Sequence, residues 1–402
     1  MNCIWARVGA ALLLIPLIAR AGDVPTEPVT RSITEFGLAL YERIAPSSQN
    51  IMCSPYSLWA ALGMTAAGAR EQTARQMERT LRFPAEGPDP HLAMGALQDR
   101  IESTPGTGVQ LAIANSLWPQ QNHDFRAPYV ELLRQRYSAS IIPVDYATNR
   151  EAARIRINGW IEANTGGHIS DMIAPGVFTE RTRLVLANAV YFHGRWETPF
   201  PSNETHQAPF HLRSGLTNTV SLMTRAGVFA TANHPDLQVV ELPYAGSAFS
   251  MVILLPRDPA GLTLVEKRLT PAAIREWTSG MAPRPIRVFL PRFRFATSLR
   301  LDHTLAAMGM RDAFDPERAD FSGMDGRKND LYISAAIHKS YIEVTEEGTE
   351  AAAASAVVMA TRSAPVPPPE FRADHPFLFI IRENRTGALL FIGRVGNPAG
   401  GA

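Results

Sequence analysis

The stretch "FRADHPFLFIIRENRTGALLFIGRVGNP", residues 371–398, contains two short apolar runs, "FLFIIRE" at 377–383 and "GALLFIGRV" at 387–395. Both are rich in β-branched and aromatic residues and have the length of strands. Working back along the chain, "LYISAAIHKSYIEV" (331–344), "PIRVFLPRFRF" (285–295), "SMVILLP" (250–256) and "RLVLANAVYFHGRW" (183–196) read the same way. In "GVQLAIANSLW" (108–118), Val109, Leu111, Ile113 and Leu117 alternate with smaller or polar residues, the period of a sheet strand. The first part of the chain has a different period. "RSITEFGLALYERI" (31–44) carries Ile33, Phe36, Leu40 and Ile44 at helical spacing, and "SPYSLWAALGMTAAGA" (54–69) opens with Ser54 as a cap and Pro55 in the first turn. Further helical patterns lie at 92–101, 129–137, 152–163 and in "DHTLAAMGM" (302–310). Helices dominate early and strands late, without βα alternation, internal repeat or Gly/Ser-rich linker, so the chain reads as one mixed α+β domain.

Composition fits a folded chain: of 402 residues, 46% are hydrophobic and 19% charged, enough apolar material for a large core. The net charge of +1 comes from mixed charges without an acidic or basic block, which argues against nucleic acid as a partner. At the amino terminus, Arg7 precedes the apolar run "VGAALLLIPLIA" (8–19), and "ARA" (19–21) offers small residues for cleavage. Residues 1–21 therefore read as a signal peptide, with residues 22–402 as the domain and a secreted or periplasmic location. No later stretch is long and apolar enough for a membrane helix. Cys3 would leave with the leader, and Cys53, in the apolar context "NIMCSPYS", reads as a buried, inert thiol.

Catalytic motifs are missing. The sequence has no G-x-S-x-G, H-E-x-x-H, C-x-x-C or Walker loop, and among its ten histidines only His206 and His211 approach ligand spacing. Neither an enzyme nor a cofactor is expected from these residues.

Several stretches together resemble the serpin family of protease inhibitors. "NIMCSPYS" (50–57) is similar to the family's entry into helix B, "INGWIEANTGGHI" (157–169) to the end of helix F, and "LANAVYFHGRWETPF" (186–200) to its central strand. "VELPYAGSAFSMVILLP", "LPRFRF", "MGMRDAF" and "ADFSGM" follow in the family's order, and residues 371–398 resemble its closing signature. The resemblance covers residues 30–398 and implies three β-sheets, eight or nine helices and an exposed reactive-centre loop at about 346–369. It also implies a monomer of the inhibitory type, here expected to be bacterial and exported.

Placed on that pattern, the loop "EEGTEAAAASAVVMATRS" (346–363) has a hinge of Glu346, Glu347, Gly348, Thr349, Glu350, Ala351, Ala352, Ala353 and Ala354. Family counting, seventeen residues from Glu346, puts the scissile bond at Arg362–Ser363. In the family's mechanism a protease cuts this bond and the freed part of the loop inserts as a new strand, carrying the acyl-linked protease with it. Residues 349–362, extended, reach about 45 Å. Strand alternation puts Thr349, Ala351, Ala353, Ser355, Val357 and Met359 on one face, all small or apolar, as sliding between strands requires. Arg362 suits a trypsin-like serine protease with an acidic specificity pocket. A cut near Val358 or Met359 would instead suit an elastase-like, chymotrypsin-like or cysteine protease.

Other positions carry over from the resemblance as structural switches. Ser54, Ser57, Asn188 and His338 match the polar cluster beneath the sheet, and Trp196 matches the tryptophan near the point of loop insertion. Thr165 and Gly167 fit the end of helix F. "PAEGPDPHLAMGALQDRIESTPG" (84–106) is acidic and lacks lysine, so no polysaccharide cofactor is expected. A non-inhibitory carrier or chaperone of this family should carry proline, charge or bulk at the inward-facing hinge positions, and Thr349, Ala351 and Ala353 carry none.

Overall fold

Apolar spacing and capping account for the two helices at the base of the core. In the computed structural model, which describes residues 24–47, 49–103, 108–349 and 368–400, the first helix spans Glu27–Ile44 and buries Ile33, Phe36, Leu40 and Ile44. The second, Pro55–Gly68, is capped by the Ser54 hydroxyl, which accepts from the Ser57 amide, and is buried almost all round. Ten α-helices occur among the described residues, where eight or nine were expected, and three of them have six residues or fewer.

The strands form two hydrogen-bonded sheets among the described residues, where three were expected. One has nine strands, eight of them in a continuous order and His206–His211 paired off that path with Thr217–Asn233. Its continuity runs through Thr217–Asn233, which pairs with Ala282–Pro291 along most of its length and with Leu237–Pro243 at its far end. This strand serves two regions that would otherwise count as separate sheets. The second sheet has six strands: Phe293–Arg300, Ile333–Val344, Gly348–Thr349, Leu184–Arg195, Val109–Pro119 and Ser140–Ile141.

The junction between Leu184–Arg195 and Ile333–Val344 is the feature that positions the site. These strands run parallel and pair directly from Ile333 opposite Leu184 to Tyr341 opposite Tyr191. Above that level they part, and Gly348–Thr349 lies between them, antiparallel to both. Helix Arg150–Asn164 covers one face of the junction. Its Ala153, Ile157 and Ile161 share a small core with Trp118, Val185, Ala187, Ala189, Ala335 and Ile337. Just beyond that helix, the His168 ring stacks on Tyr191 with centroids 4.0 Å apart, and Lys339 donates to the Ser170 carbonyl at 2.6 Å. The main core fills the other face.

Cys53 is fully buried, and burial pushes its thiol up to about 12, so it stays protonated and unreactive, in line with its apolar context. His206 and His211 stand at the two ends of strand His206–His211, five residues apart and thus on opposite faces, which removes them as a ligand pair.

Candidate functional site

The first residues of the expected hinge are built into the top of the six-stranded sheet. Thr349 is fully buried, pairing with Val344 on one side and Gly194 on the other, while Gly348 pairs with Arg195. Two glycines make room for this contact. At φ +151, a Cβ on Gly348 would stand 2.1 Å from the Gly194 carbonyl oxygen and 2.6 Å from Arg195 Cα. A Cβ on Gly194 would meet the Tyr244 ring at 2.7 Å. Backbone here approaches backbone too closely for any side chain.

Trp196 and its neighbours hold the approach to this point. The Trp196 amide donates to the Glu347 carbonyl at 2.8 Å, its indole Nε1 donates to the Thr345 carbonyl at 3.1 Å, and the Phe200 amide donates to the Glu346 carbonyl at 2.8 Å. The Trp196 ring stacks on Tyr244 with centroids 4.7 Å apart, and the Tyr244 hydroxyl is 2.9 Å from Thr349 Oγ1. Burial drives the Tyr244 phenol far above its ordinary range, so it remains neutral. The Glu346 carboxylate is also buried, which alone would raise its pKa. Hydrogen bonds from Arg292 (2.5 and 2.8 Å) and from Thr205 (2.5 Å) outweigh that cost and hold it below the usual carboxylate range.

Ser54, Ser57, Asn188 and His338 come together beneath the junction as one hydrogen-bonded chain. His338 is fully buried, and desolvation lowers it to about 3, although its bond with Asn188 opposes that shift. It is therefore neutral, and its tautomer follows from its partners. Nε2 faces the Ser54 amide at 3.3 Å and must accept, so Nδ1 carries the proton and donates to Asn188 Oδ1 at 2.5 Å. Asn188 Nδ2 in turn faces the Ser57 carbonyl (3.2 Å), Ser57 Oγ (2.5 Å) and Asn115 Oδ1. The cluster joins helix Pro55–Gly68 to both strands of the junction, so parting those strands disrupts it.

The structure thus unites Glu346, Glu347, Gly348 and Thr349 with Trp196, and separately unites the four residues of the polar cluster. Arg362, Ser363, Glu350, Ala351, Ala352, Ala353 and Ala354 lie outside the described residues. Sequence reasoning missed Tyr244, Arg292, Thr205 and Asn115. Their one legible signal is position: Tyr244, Arg292 and Asn115 lie in stretches already singled out, "VELPYAG", "LPRFRF" and "GVQLAIANSLW", while nothing local marks Thr205.

A family model described as "Serpin (serine protease inhibitor)" matches residues 31–398. The chain belongs to the serpin family. This serpin is 39% identical to leukocyte elastase inhibitor A of Mus musculus and 38% identical to the human leukocyte elastase inhibitor, each over 382 residues that cover 92% of this chain and 100% of the relative. It is 37% identical to an uncharacterized serpin-like protein of Thermococcus kodakarensis, covering 93% of this chain and 87% of that one. Among solved structures it resembles uncleaved ovalbumin, with a TM-score of 0.84 at 30% identity over 92% of this chain and 100% of the other. Native protease nexin-1 with heparin gives 0.83 at 29% identity over 93% and 100%. The serpin is accordingly a protease inhibitor and not an enzyme, and serpins form covalent complexes with their target proteases.

The relatives correct one expectation outright. A secreted or periplasmic location conflicts with the leukocyte elastase inhibitors, which are intracellular serpins lacking signal peptides. The apolar run at 8–19 led to that expectation, and such a run by itself does not fix a destination. The expected bacterial, exported character likewise finds no support among these relatives, which are mostly eukaryotic.

Proposed function

We propose that this serpin is an irreversible inhibitor of trypsin-like serine proteases, cut at Arg362–Ser363. The protease serine oxygen forms an ester with the Arg362 carbonyl while the bond to Ser363 breaks and Ser363 leaves with the new amino terminus. The freed segment then inserts along the junction before water can cleave the ester.

One observation carries this reading: Gly348–Thr349 is already paired between the two strands, with the Thr349 side chain fully buried. The register can be continued without a shift. Ten residues beyond Thr349 opposite Gly194, Met359 falls opposite Leu184, the far end of the strand, so residues 349–359 match the length of the junction. Some ten new strand hydrogen bonds, each contributing about 0.5–1.5 kcal/mol net, supply on the order of 10 kcal/mol before packing is counted. That is comparable to the whole stability of many domains, so the uncut form persists kinetically.

A second reading concerns the target. The relatives are named as elastase inhibitors, which favours a cut at Val358 or Met359 by an elastase-like enzyme. Incubation with trypsin and, in parallel, with an elastase decides between them by denaturing electrophoresis and sequencing of the released fragment. A stable complex with trypsin and a fragment beginning at Ser363, lost in Arg362→Ala, supports the first reading. A complex formed only with elastase establishes the second, and cleavage without any complex refutes inhibition.

A further inference from the structure

At the end of the six-stranded sheet opposite the hinge, His123, Asp325 and Asp330 converge. His123 follows strand Val109–Pro119, and the two aspartates precede strand Ile333–Val344. One nitrogen and two carboxylate oxygens from these residues all lie within 4.8 Å of one another. His123 Nδ1 is 3.3 Å from Asp325 Oδ2 and 3.7 Å from Asp330 Oδ2. Four ligands on a tetrahedral zinc, bonded at 2.0–2.2 Å, stand about 3.4 Å from each other, so these donors are already spaced for such an ion.

The charge balance points the same way. The His123 and Asp325 side chains are only 7% and 1% exposed, and a buried carboxylate needs compensation. Nδ1 faces two carboxylate oxygens; the Arg327 guanidinium compensates Asp330 Oδ2 from outside, and a divalent cation between the three donors would also meet the buried Asp325 Oδ2. The supporting contacts orient the ligands: Asp325 Oδ1 accepts from the Arg327 amide at 2.9 Å, and the Arg327 guanidinium reaches Asp330 Oδ2 at 3.3 Å. Asp330 is 38% exposed, leaving an approach from solvent for the ion and a water as fourth ligand. A nitrogen with two carboxylates suits zinc-type transition metals over calcium or magnesium, which favour all-oxygen sites.

We propose that His123, Asp325 and Asp330 form a binding site for one zinc-type divalent cation that pins the base of the sheet across the junction. The two sides are already joined there by Tyr332 to the Arg181 carbonyl (2.6 Å), the Arg183 amide to Ser334 Oγ (2.9 Å) and the Arg126 amide to the Met324 carbonyl (2.7 Å). A strand entering the junction moves its two sides apart by one strand spacing, about 4.8 Å, far more than metal–ligand bonds tolerate. Resting on the inhibitory reading above, this makes bound metal oppose the last stage of insertion.

The test is calorimetric titration of the full chain, stripped with a chelator, with zinc chloride alone. One zinc per chain is expected, with affinity falling at least about ten-fold in both His123→Gln and Asp330→Asn, and unchanged in His206→Gln. No saturable uptake, uptake undiminished in both site variants, or equal binding of calcium overturns the site. In the second arm, zinc raises the number of inhibitor molecules consumed per protease in the parent chain and not in His123→Gln. Demonstrated binding with no such rise overturns the pinning, whereas a metal-free chain that forms no complex at all refutes inhibition instead.

Discussion

Tyr244 and Thr349, 105 residues apart in the chain, meet in the interior with their hydroxyl oxygens 2.9 Å apart. On the inhibitory reading proposed above, this contact is the hinge entering the sheet by its first side chain. Trp196, stacked on the Tyr244 ring, fixes where that ring stands.

Thr349→Arg is expected to convert the inhibitor into a substrate. Thr349 is fully buried between Val344 and Gly194, and an unpaired guanidinium there is strongly disfavoured. The hinge must then stay outside, insertion slows, and hydrolysis wins. The stoichiometry of inhibition should rise several-fold, and an unaltered stoichiometry would count against loop insertion.

The Tyr244–Thr349 bond should be measurable by a double-mutant cycle of Tyr244→Phe and Thr349→Val in urea unfolding. A coupling energy of about 1 kcal/mol is expected for a buried neutral pair. Strictly additive effects would show that the two hydroxyls are satisfied elsewhere.

Gly348→Ala should drive the hinge out of the sheet. A methyl group there meets backbone atoms of Gly194 and Arg195 at 2.1–2.6 Å, which no rotamer change relieves, and alanine is also strained at φ +151. Limited proteolysis should then cut the 346–350 region faster than in the parent chain. Unchanged cleavage would mean that the strands part more readily than the close contact implies.

Acid should weaken the native state through His338. Folding lowers this imidazole to about 3, so below its unfolded value of about 6.5 the unfolded chain takes up a proton that the native cluster refuses. Stability then falls as the pH drops from 6.5 towards 3, by up to roughly 1.4 kcal/mol per pH unit from this group. Above 6.5 the group adds no pH dependence. Glu346 has the opposite kind of charge but the same consequence. Its lowered pKa contributes stability above the ordinary carboxylate range, which is lost as the pH falls through it. Urea midpoints between about pH 7 and about pH 5 leave the carboxylates out; burial lowers His91 in the same direction, so His338→Gln should reduce the slope there without abolishing it. A slope undiminished in the variant would place the titration elsewhere.

Much of the architecture is legible in local pattern. Ile33, Phe36, Leu40 and Ile44 lie on the buried face their spacing implies, and the Ser54 cap and Pro55 start a helix as their chemistry requires. The strand at Thr217–Asn233 is not legible in the sequence, because "TNTVSLMTRAGVFATAN" mixes small, polar and apolar residues without strict alternation. Its two ends serve different neighbours, so no single face stays buried along its length.

By itself the sequence determined the succession of helices and strands, the family, and the small-residue character of the hinge, because these are properties of neighbouring residues. Only the tertiary structure decided how far the hinge enters the sheet. That depends on Gly194, Tyr244 and Trp196, which are distant in the chain and act by the space they leave or fill. The protonation of His338 is of the same kind: only burial against Ser54 and Asn188 makes that imidazole neutral and fixes its tautomer, because desolvation and hydrogen-bond geometry exist only once the strands have been brought together.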